Sequence, residues 1–447
     1  MSTDSRQRLL LLLKQHGWNA TSFQVVETDF RYWFDSKGDA AVAFLDTGGA
    51  WVVAGAPIGP IERLEEIATL FAAEARRRGK RIAYFAVEPR FLDQVSMPSV
   101  TIGEQPWWDP RSWEERHRGH RGLKEQLRRA RAKGVTVTRV PSSVAANELR
   151  PELERLIGRW LMTRVMPPMS FLVALEPFVC ADERRFYVAL AKDRAIGLLV
   201  AVPVYDRGGW FFEDILRDPR SPNGTTELMI DTAMRDVAAD GCSFVTLGLA
   251  PLAGDEPWLR TTRNLMRGFY NFEGLRTFKA KLRPDGWTTI LLAWPADRTS
   301  AGAIYDALDA FGGGHIFRFG TRAVFRAPAP VLFLLGALLI PWIGILATAE
   351  TSRWFRTRRE QYGWVAFDAV MAGVLLSLSH KWRRPLAAAA CAAAATDGVL
   401  TCISAARYGA RRARRLSDVL VITAAIAAPF LAATILLGRL SRESLSG

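Results

Sequence analysis

Cysteine and histidine are scarce in this chain of 447 residues, which contains four cysteines and five histidines. The cysteines are isolated, and no C-x-x-C pair occurs among them. This pattern excludes a disulfide framework and indicates a reducing compartment for the N-terminal part of the chain. His117 and His120 are three residues apart, but no further Cys, His or carboxylate completes a metal site. We therefore expect no bound metal and assign both histidines to a basic surface.

Familiar nucleophile and nucleotide motifs are also missing. The chain has no G-x-S-x-G elbow, no Walker A loop and no G-x-G-x-x-G fingerprint. A signal peptide is not predicted either, because the apolar run 9–13 is short and is closed by Lys14. We expect a reaction without a cofactor, based on positioning and electrostatic stabilisation, in a body that stays in the cytoplasm.

Positive charge is abundant but unevenly distributed. The formal net charge is +14 at pH 7. Residues 321–447 contain 16 Lys and Arg against 6 Asp and Glu, whereas the first 320 residues contain 43 against 39. The excess belongs mainly to the C-terminal block, which favours contact with anionic lipid headgroups over a protein that coats nucleic acid.

Four apolar stretches in this block, 331–349, 362–379, 385–406 and 419–437, predict membrane-spanning helices. The second and third contain Asp368 and Asp397. A carboxylate is costly in hydrocarbon, so both must face protein or water, as functional groups, as polar contacts between helices or in an interfacial segment. Arginine and lysine are almost equally numerous in the segments that would lie on the two sides of the membrane, so their distribution does not indicate an orientation. The cytoplasmic placement of the body therefore rests on the missing signal peptide.

The first 320 residues alternate between strand and helix patterns. We predict strands over 40–44, 51–54, 82–87, 136–140, 195–202, 209–213, 244–247 and 289–293, and helices over 61–78, 121–132, 148–163, 184–190, 226–240 and 257–271. A break near 134–143 separates two similar series. The prediction is an α/β fold of two units, residues 1–140 and 141–320, followed by a membrane domain, residues 321–447.

Two segments carry charges in patterns that favour ligand binding. In the basic stretch 111–133, Lys124 and Arg128 lie one helical turn apart. They could bind phosphates of lipid or RNA, and a solvated helix face with no ligand explains them equally simply. Glu213 and Asp214 end a predicted strand, with Arg217 three residues later. Adjacent carboxylates in an apolar setting suit the ammonium group of an amino acid, and a salt bridge at the strand end fits the same residues.

Two later segments complete the series. Residues 246–252 predict a strand that runs into a tight loop. In 272–284, Lys279 and Lys281 would project to the same side of an extended chain.

In this order the segments resemble the cytosolic catalytic domain of the phosphatidylglycerol lysyltransferases, the multiple-peptide-resistance-factor type proteins, over about residues 17–295. The residues that carry the resemblance are Gly17, Asn19 and Ser22, the loop 55–59 (GAPIG), Gly103 and Glu104, Lys124 and Arg128, Asp214 and Arg217, the loop 247–252 (LGLAPL), and the segment 274–281 (GLRTFKAK). Each motif is weak alone, but their shared order and spacing are specific.

The resemblance implies two acetyltransferase-like (GNAT) units in tandem, an aminoacyl-tRNA donor and an anionic phospholipid such as phosphatidylglycerol as acceptor. Asp214 would hold the aminoacyl ammonium, Arg217 would orient Asp214 or bind a phosphate, and Lys279 or Lys281 would stabilise the oxyanion. The expected substrate-binding residues are Glu104, Lys124, Arg128, Glu213, Glu227 and Gly248.

Two departures from the family pattern leave alternatives open. The membrane segments follow the catalytic domain instead of preceding it, and Gly224-Thr225-Thr226-Glu227 replaces a small-acid pattern, so the transferred amino acid is not specified. An N-acyltransferase that uses acyl-CoA or an acyl carrier would need a diphosphate loop, and the segment 220–225 has the wrong spacing for one. A non-catalytic membrane scaffold is the third possibility. The oligomeric state is not predicted.

Overall fold

The structure of the chain is a computed structural model that describes residues 3–164, 169–254, 256, 259–260, 272–316, 328–348, 355, 357–406 and 416–445. The chain divides into two compact units. The first, called the body, comprises Met1–Arg164 and Pro168–Phe319, and the second, called the helical unit, comprises Val165–Pro167 and Gly320–Gly447. A division of the body at residue 140 stays a prediction.

The body is a mixed α/β structure. Its strands are β1 Arg31–Phe34, β2 Ala41–Asp46, β3 Ala50–Ala54, β4 Arg81–Val87, β5 Ser99–Trp108, β6 Thr136–Val140, β7 Arg185–Ala191, β8 Arg194–Val204, β9 Gly209–Arg217, β10 Val245–Thr246, β11 Ala250–Pro251 and β12 Gly286–Ala293. Its helices are α1 Thr3–His16, α2 Leu64–Arg77, α3 Pro89–Leu92, α4 Trp113–His117, α5 Arg121–Ala132, α6 Ser142–Ala146, α7 Arg150–Met162, α8 Thr225–Ala239, α9 Phe272–Lys281 and α10 Ser300–Phe311. The α/β class predicted from the sequence is confirmed.

The strands form one sheet in the order β1-β2-β3-β4-β12-β5-β10-β9-β8-β7-β6, with β11 paired to β5. The pairs β3/β4 and β9/β10 are parallel, and the other described pairs are antiparallel. The same series therefore occurs twice: three antiparallel strands, a helix, and a fourth strand parallel to the third. It comprises β1, β2, β3, α2 and β4 in the first half of the body, and β7, β8, β9, α8 and β10 in the second half.

The two halves exchange their next strands. β5 follows β4 in the chain but pairs with β10, and β12, which comes after β10 and the short β11, pairs with β4. β5 and β12 also pair with each other. The sheet is continuous because each half contributes the strand that completes the other.

Apolar periodicity explains most of the local structure. In α2, Leu64, Ile67, Phe71 and Ala75 form the buried stripe of an amphipathic helix. In β8, ten consecutive residues after Arg194 are buried, as expected for a strand covered on both faces. The predicted helix over 184–190 is wrong: these residues lie mainly in β7, whose middle residues are buried without alternation. The predicted helix 257–271 lies almost entirely outside the described residues.

The helical unit contains α11 Pro328–Thr348, α12 Arg358–His380, α13 Arg384–Ser404 and α14 Leu416–Leu445. All four are long and apolar enough to cross a membrane, which confirms the four predicted apolar helices. α11 packs along α12, and α13 packs along α14, so the unit consists of two helical hairpins. Gly336 and Gly398 allow this close packing, against Leu376 and Phe430 respectively.

Candidate active site

Four charged side chains from distant parts of the chain meet inside the body. Arg184, directly before β7, is fully buried and pairs with Glu213 of β9 at 2.5 Å and with Glu27 at 3.4 Å. Asp214 is buried beside them and interacts electrostatically with the same arginine. We call Glu27, Arg184, Glu213 and Asp214 the carboxylate cluster; it sets three carboxyl groups against one guanidinium.

A β-bulge places the two adjacent carboxylates of the cluster. Phe212 is opposite Ala201 of β8, whereas Asp214 is opposite Val200, so Glu213 is an extra residue in β9. In a regular strand, neighbouring side chains point to opposite faces of the sheet. A bulge breaks this alternation and redirects the side chain. Glu213 and Asp214 consequently share the buried environment of Arg184.

The electrostatics of the carboxylate cluster are unusual for a protein interior. Burial and the neighbouring Glu213 raise the pKa of Glu27 to about 10, against the opposing effect of Arg184. Burial, with Glu213, also raises the pKa of Asp214 well above its ordinary value. Oε2 of Glu27 and Oε1 of Glu213 are buried and accept no hydrogen bond within the described structure. Such unpaired oxygens are costly, and a cationic hydrogen-bond donor would satisfy them.

A second group of site residues surrounds the loop after β10. The ammonium of Lys279, in α9, donates to the carbonyl oxygens of Leu247, Gly248 and Leu249 at 2.8, 2.8 and 2.9 Å. Burial lowers the pKa of Lys279 to about 7. Gly248 has φ +71°, and a Cβ there would overlap the Phe211 ring, so this turn requires glycine. Lys279 thus holds a tight loop beside β9.

Glu104 connects the same loop to another predicted motif. Its carboxylate pairs with Arg276 of α9 at 3.1 Å. On β5, Glu104 is opposite Ala250 of β11, the strand that follows the Lys279-bound loop. Three predicted segments, those containing Glu104, Gly248 and Lys279, therefore meet, and Phe211 connects them along β9 to Glu213 and Asp214.

The first two motifs of the resemblance, the segment with Asn19 and the loop 55–59, contact each other in the first half of the body. The Asn19 side chain donates to the carbonyl of Ala86, and Gly55 lies so close to Thr21 and Asn19 that a Cβ would not fit. Asn19, Ser22, Pro57 and Gly59 line a small cavity with Trp18. These motifs shape the start of α2 and do not join the carboxylate cluster.

Several predicted site residues lie apart from these groups. Arg217 is exposed and donates to Ser221; no hydrogen bond between it and Asp214 occurs in the described part of the chain. The expected common side of Lys279 and Lys281 is wrong, because both belong to helix α9, where Lys279 is buried and Lys281 is exposed. Glu227 lies half-buried in the first turn of α8.

The basic helix has the predicted bounds but only part of its charge is unpaired. Lys124 and Arg128 are both exposed on α5. Glu125 accepts two hydrogen bonds from Arg128 at 2.9 Å and one from Arg129, which leaves Lys124 as the more available cation of the predicted pair.

Two further features differ from expectation. His117 is buried and contacts the carbonyls of Trp113 and Leu282, so its assignment to a basic surface is wrong. Glu27 and Arg184 are cluster members that the sequence analysis missed. Each is distant in sequence from Asp214, and no motif or spacing in the sequence connects either residue to it.

Comparison with known proteins identifies a family and a relative with the same kind of name. The family model described as phosphatidylglycerol lysyltransferase, C-terminal, matches residues 11–292. A phosphatidylglycerol lysyltransferase of Bacillus subtilis is 24% identical over 307 residues, which cover 66% of this chain and 35% of that relative; the chain thus spans about a third of its length.

Two solved structures share the fold of the body. A C-terminal domain (DUF2156) from Agrobacterium fabrum has a TM-score of 0.60 at 22% identity and covers 69% of this chain and 98% of that one. L-PGS from Bacillus licheniformis has a TM-score of 0.59 at 20% identity, with coverages of 68% and 96%. At this identity the likeness establishes the fold alone.

Proposed function

We propose that this chain, which belongs to the phosphatidylglycerol lysyltransferase C-terminal family, transfers an amino acid from aminoacyl-tRNA to a hydroxyl group of an anionic membrane phospholipid. The observation that carries the proposal is the carboxylate cluster. Three carboxyl groups face one arginine, and two of their oxygens lack hydrogen-bond donors in the described structure. An aminoacyl group brings an ammonium that carries the complementary charge and several donors.

The cluster also explains how the site exists before substrate binds. The raised pKa of Glu27 keeps its carboxyl group protonated near neutral pH, which lowers the cost of burying it. An arriving ammonium favours the ionised carboxylate, so binding displaces a proton. Arg184 remains in place and orients Glu213 toward the ligand.

The reaction is a transesterification and needs no cofactor. The lipid hydroxyl oxygen attacks the carbonyl carbon of the aminoacyl ester and forms the new C–O bond. The bond from that carbon to the ribose oxygen of tRNA then breaks, and the ribose oxygen receives the proton that the lipid hydroxyl loses. No group is oxidised or reduced, and the main task of the protein is to hold the two reactants in register.

Lys279 acts in this proposal as a positioning residue. All three of its ammonium protons are engaged by the carbonyls of Leu247, Gly248 and Leu249. A role for it as oxyanion donor would require these bonds to break. The geometry instead favours a lysine that fixes the loop beside Phe211, and thereby the strand that carries Glu213 and Asp214.

The donor and the acceptor both carry phosphates, and the chain offers matching features. Lys124 and Arg128 on the exposed face of α5 suit a phosphate backbone. The four apolar helices support membrane association and would keep the body near its lipid. Because tRNA is a cytoplasmic molecule, the proposal places the body on the cytoplasmic side of the membrane.

A cofactor with a diphosphate is less well accommodated. In an acyl-CoA-dependent enzyme of this type, the diphosphate would need open backbone N–H groups at the start of the helix after the third strand, here α8. Gly224 at that position has φ +91°, and a Cβ there would overlap the carbonyl of Gln126, which shows that α5 closely covers this turn. This covered turn therefore favours aminoacyl-tRNA over acyl-CoA as the donor.

The test is lipid mass spectrometry of cells that express the chain or one of three isosteric variants, Glu27→Gln, Glu213→Gln and Asp214→Asn. We expect an aminoacylated phospholipid with the native chain, and a loss of about tenfold or more with each variant, because each removes a charged partner of the ammonium. Glu183→Gln is the matched control, since Glu183 pairs with Lys14 and Tyr205 outside the cluster.

A reconstituted assay tests the identity of the donor independently of the site residues. Purified full-length chain in phosphatidylglycerol vesicles should form product only with charged tRNA, and ribonuclease should abolish it. Product formation from acyl-CoA would overturn the choice of donor. Full activity of all three cluster variants would overturn the site.

A further inference from the structure

The helical unit contains a cleft between its two hairpins that the body's proposed reaction does not use. The cleft has a volume of about 440 Å³ and is open on one side. Its walls are Glu360, Gly363, Trp364 and Phe367 of α12, and Ala393, Thr396, Asp397 and Leu400 of α13. The family match ends at residue 292, before the first helix of this unit.

The two carboxylates within these helices have different environments. Asp368 is buried, and the Trp342 side chain of α11 hydrogen-bonds to it, which makes it a polar contact between helices. Asp397 instead lines the cleft. Its Oδ1 accepts a hydrogen bond from Thr401 at 3.1 Å, and the described residues provide no donor for Oδ2.

Aromatic side chains stand opposite this carboxylate. The rings of Trp364 and Phe367 are 6.1 Å apart and nearly perpendicular, and both residues line the cleft. Ring faces beside a carboxylate are a favourable setting for an organic cation, because the electrostatic attraction of the rings adds to that of the charge. An anionic headgroup would meet Asp397 and Glu360 of like sign.

The depth of the cleft fits a lipid headgroup. Glu360 lies in the first turn of α12, and Asp397 lies seven residues before the end of α13, about 10 Å along the helix axis. The cleft therefore runs from one end of these helices toward the hydrocarbon level. A charged residue at such depth in a membrane-spanning helix is expensive and is commonly a functional group.

We propose that this cleft binds a lipid whose headgroup carries a primary ammonium, with Asp397 as the counter-ion and Trp364 and Phe367 as the aromatic wall. Two kinds of lipid have this chemistry: phosphatidylethanolamine and an aminoacylated phospholipid such as the body's proposed product. The helical unit is then a selective lipid-binding unit as well as an anchor. The proposal does not depend on the transfer reaction, because phosphatidylethanolamine satisfies it without any product.

The test measures lipid retention by the purified full-length chain without tRNA. The chain is reconstituted in nanodiscs with equal parts of phosphatidylglycerol, phosphatidylcholine, phosphatidylethanolamine and lysyl-phosphatidylglycerol, released into detergent, and analysed by native mass spectrometry. We expect at least one primary-ammonium lipid to be retained about tenfold over phosphatidylglycerol and phosphatidylcholine, as a charge-assisted hydrogen bond to Asp397 would produce. Whichever of the two is retained identifies the source.

Glycines provide a steric test with a matched control. A Cβ on Gly363 or on Gly373, both in α12, would meet nothing within 4 Å, but Gly363 alone of the two lines the cleft. Gly363→Leu should abolish selective retention by filling the cleft, Gly373→Leu should preserve it, and Asp397→Asn should abolish it by removing the charge. Equal retention of phosphatidylglycerol or phosphatidylcholine would overturn the proposal. So would selectivity that persists in both Gly363→Leu and Asp397→Asn.

Discussion

Replacing Lys279 by methionine tests the proposed clamp on the loop after β10. Methionine fills much of the same space but offers no ammonium to the carbonyls of Leu247, Gly248 and Leu249. We expect the variant to fold and to lose most transfer activity, because the loop beside Phe211 is no longer fixed. Lys281→Met, two residues later on the exposed side of α9, should retain activity.

The pH dependence of stability gives a magnitude for this perturbation. Burial lowers the pKa of Lys279 from 10.5 to about 7 in the folded chain. Between these two values the unfolded chain binds more protons than the folded one, so the free energy of unfolding rises with pH. The slope approaches about 1.4 kcal/mol per pH unit, and the full difference is about 5 kcal/mol.

The native chain should therefore gain stability relative to Lys279→Met as the pH increases. From pH ~7.5 to ~9.5 we expect a relative gain of about 2–3 kcal/mol, which corresponds to roughly 4–6 °C in the melting midpoint of a domain of this size. The measurement is differential scanning fluorimetry of both full-length proteins in the same detergent at several pH values. A constant difference across this range would refute the buried ammonium, whatever the activity of the variant.

Two smaller perturbations probe other parts of the body. Gly224→Ala should lower the free energy of unfolding by about 1–3 kcal/mol, because Gly224 has φ +91° and an added Cβ would overlap the Gln126 carbonyl. Gly241→Ala is the control for backbone strain alone, because Gly241 also has a positive φ but an added Cβ there would meet open space. Equal melting midpoints for the two variants would contradict the close contact at Gly224. Lys124→Gln should weaken tRNA binding and reduce the slope of log affinity against log salt by about 1, measured by fluorescence anisotropy. An unchanged salt slope would remove Lys124 from the nucleic-acid surface.

Two segments were predicted with their exact bounds from the sequence. The strand over 136–140 is β6, and the helix over 121–132 is α5, with identical bounds. Residues 184–190 were assigned the wrong type because their continuous burial as a strand removes the alternation that identifies one. β5 was missed because Gly103 and Pro106 interrupt its pattern, although the strand lies between β12 and β10 in the sheet.

The candidate site could be predicted only in part from the sequence, for a related reason. Glu213 and Asp214 were singled out as adjacent carboxylates, but regular alternation would place them on opposite faces of the sheet. The bulge that unites them depends on the register of β9 against β8, which is a tertiary property. Glu27 and Arg184 could not be found by spacing, because their partners are 157 and 29 residues away respectively.

The exchange of strands between the two halves has a consequence for function. The carboxylate cluster takes Glu27 from the first half and Arg184, Glu213 and Asp214 from the second. The Lys279 loop is likewise held against β5, a strand of the first half that pairs with β10 of the second. Neither half alone contains a complete site, and separating them would also leave β4 and β10 without the strands that cover their edges. Under the proposed function, the two halves therefore operate as one catalytic body, in which the first half supplies part of the proposed ligand-binding site and is not a redundant copy.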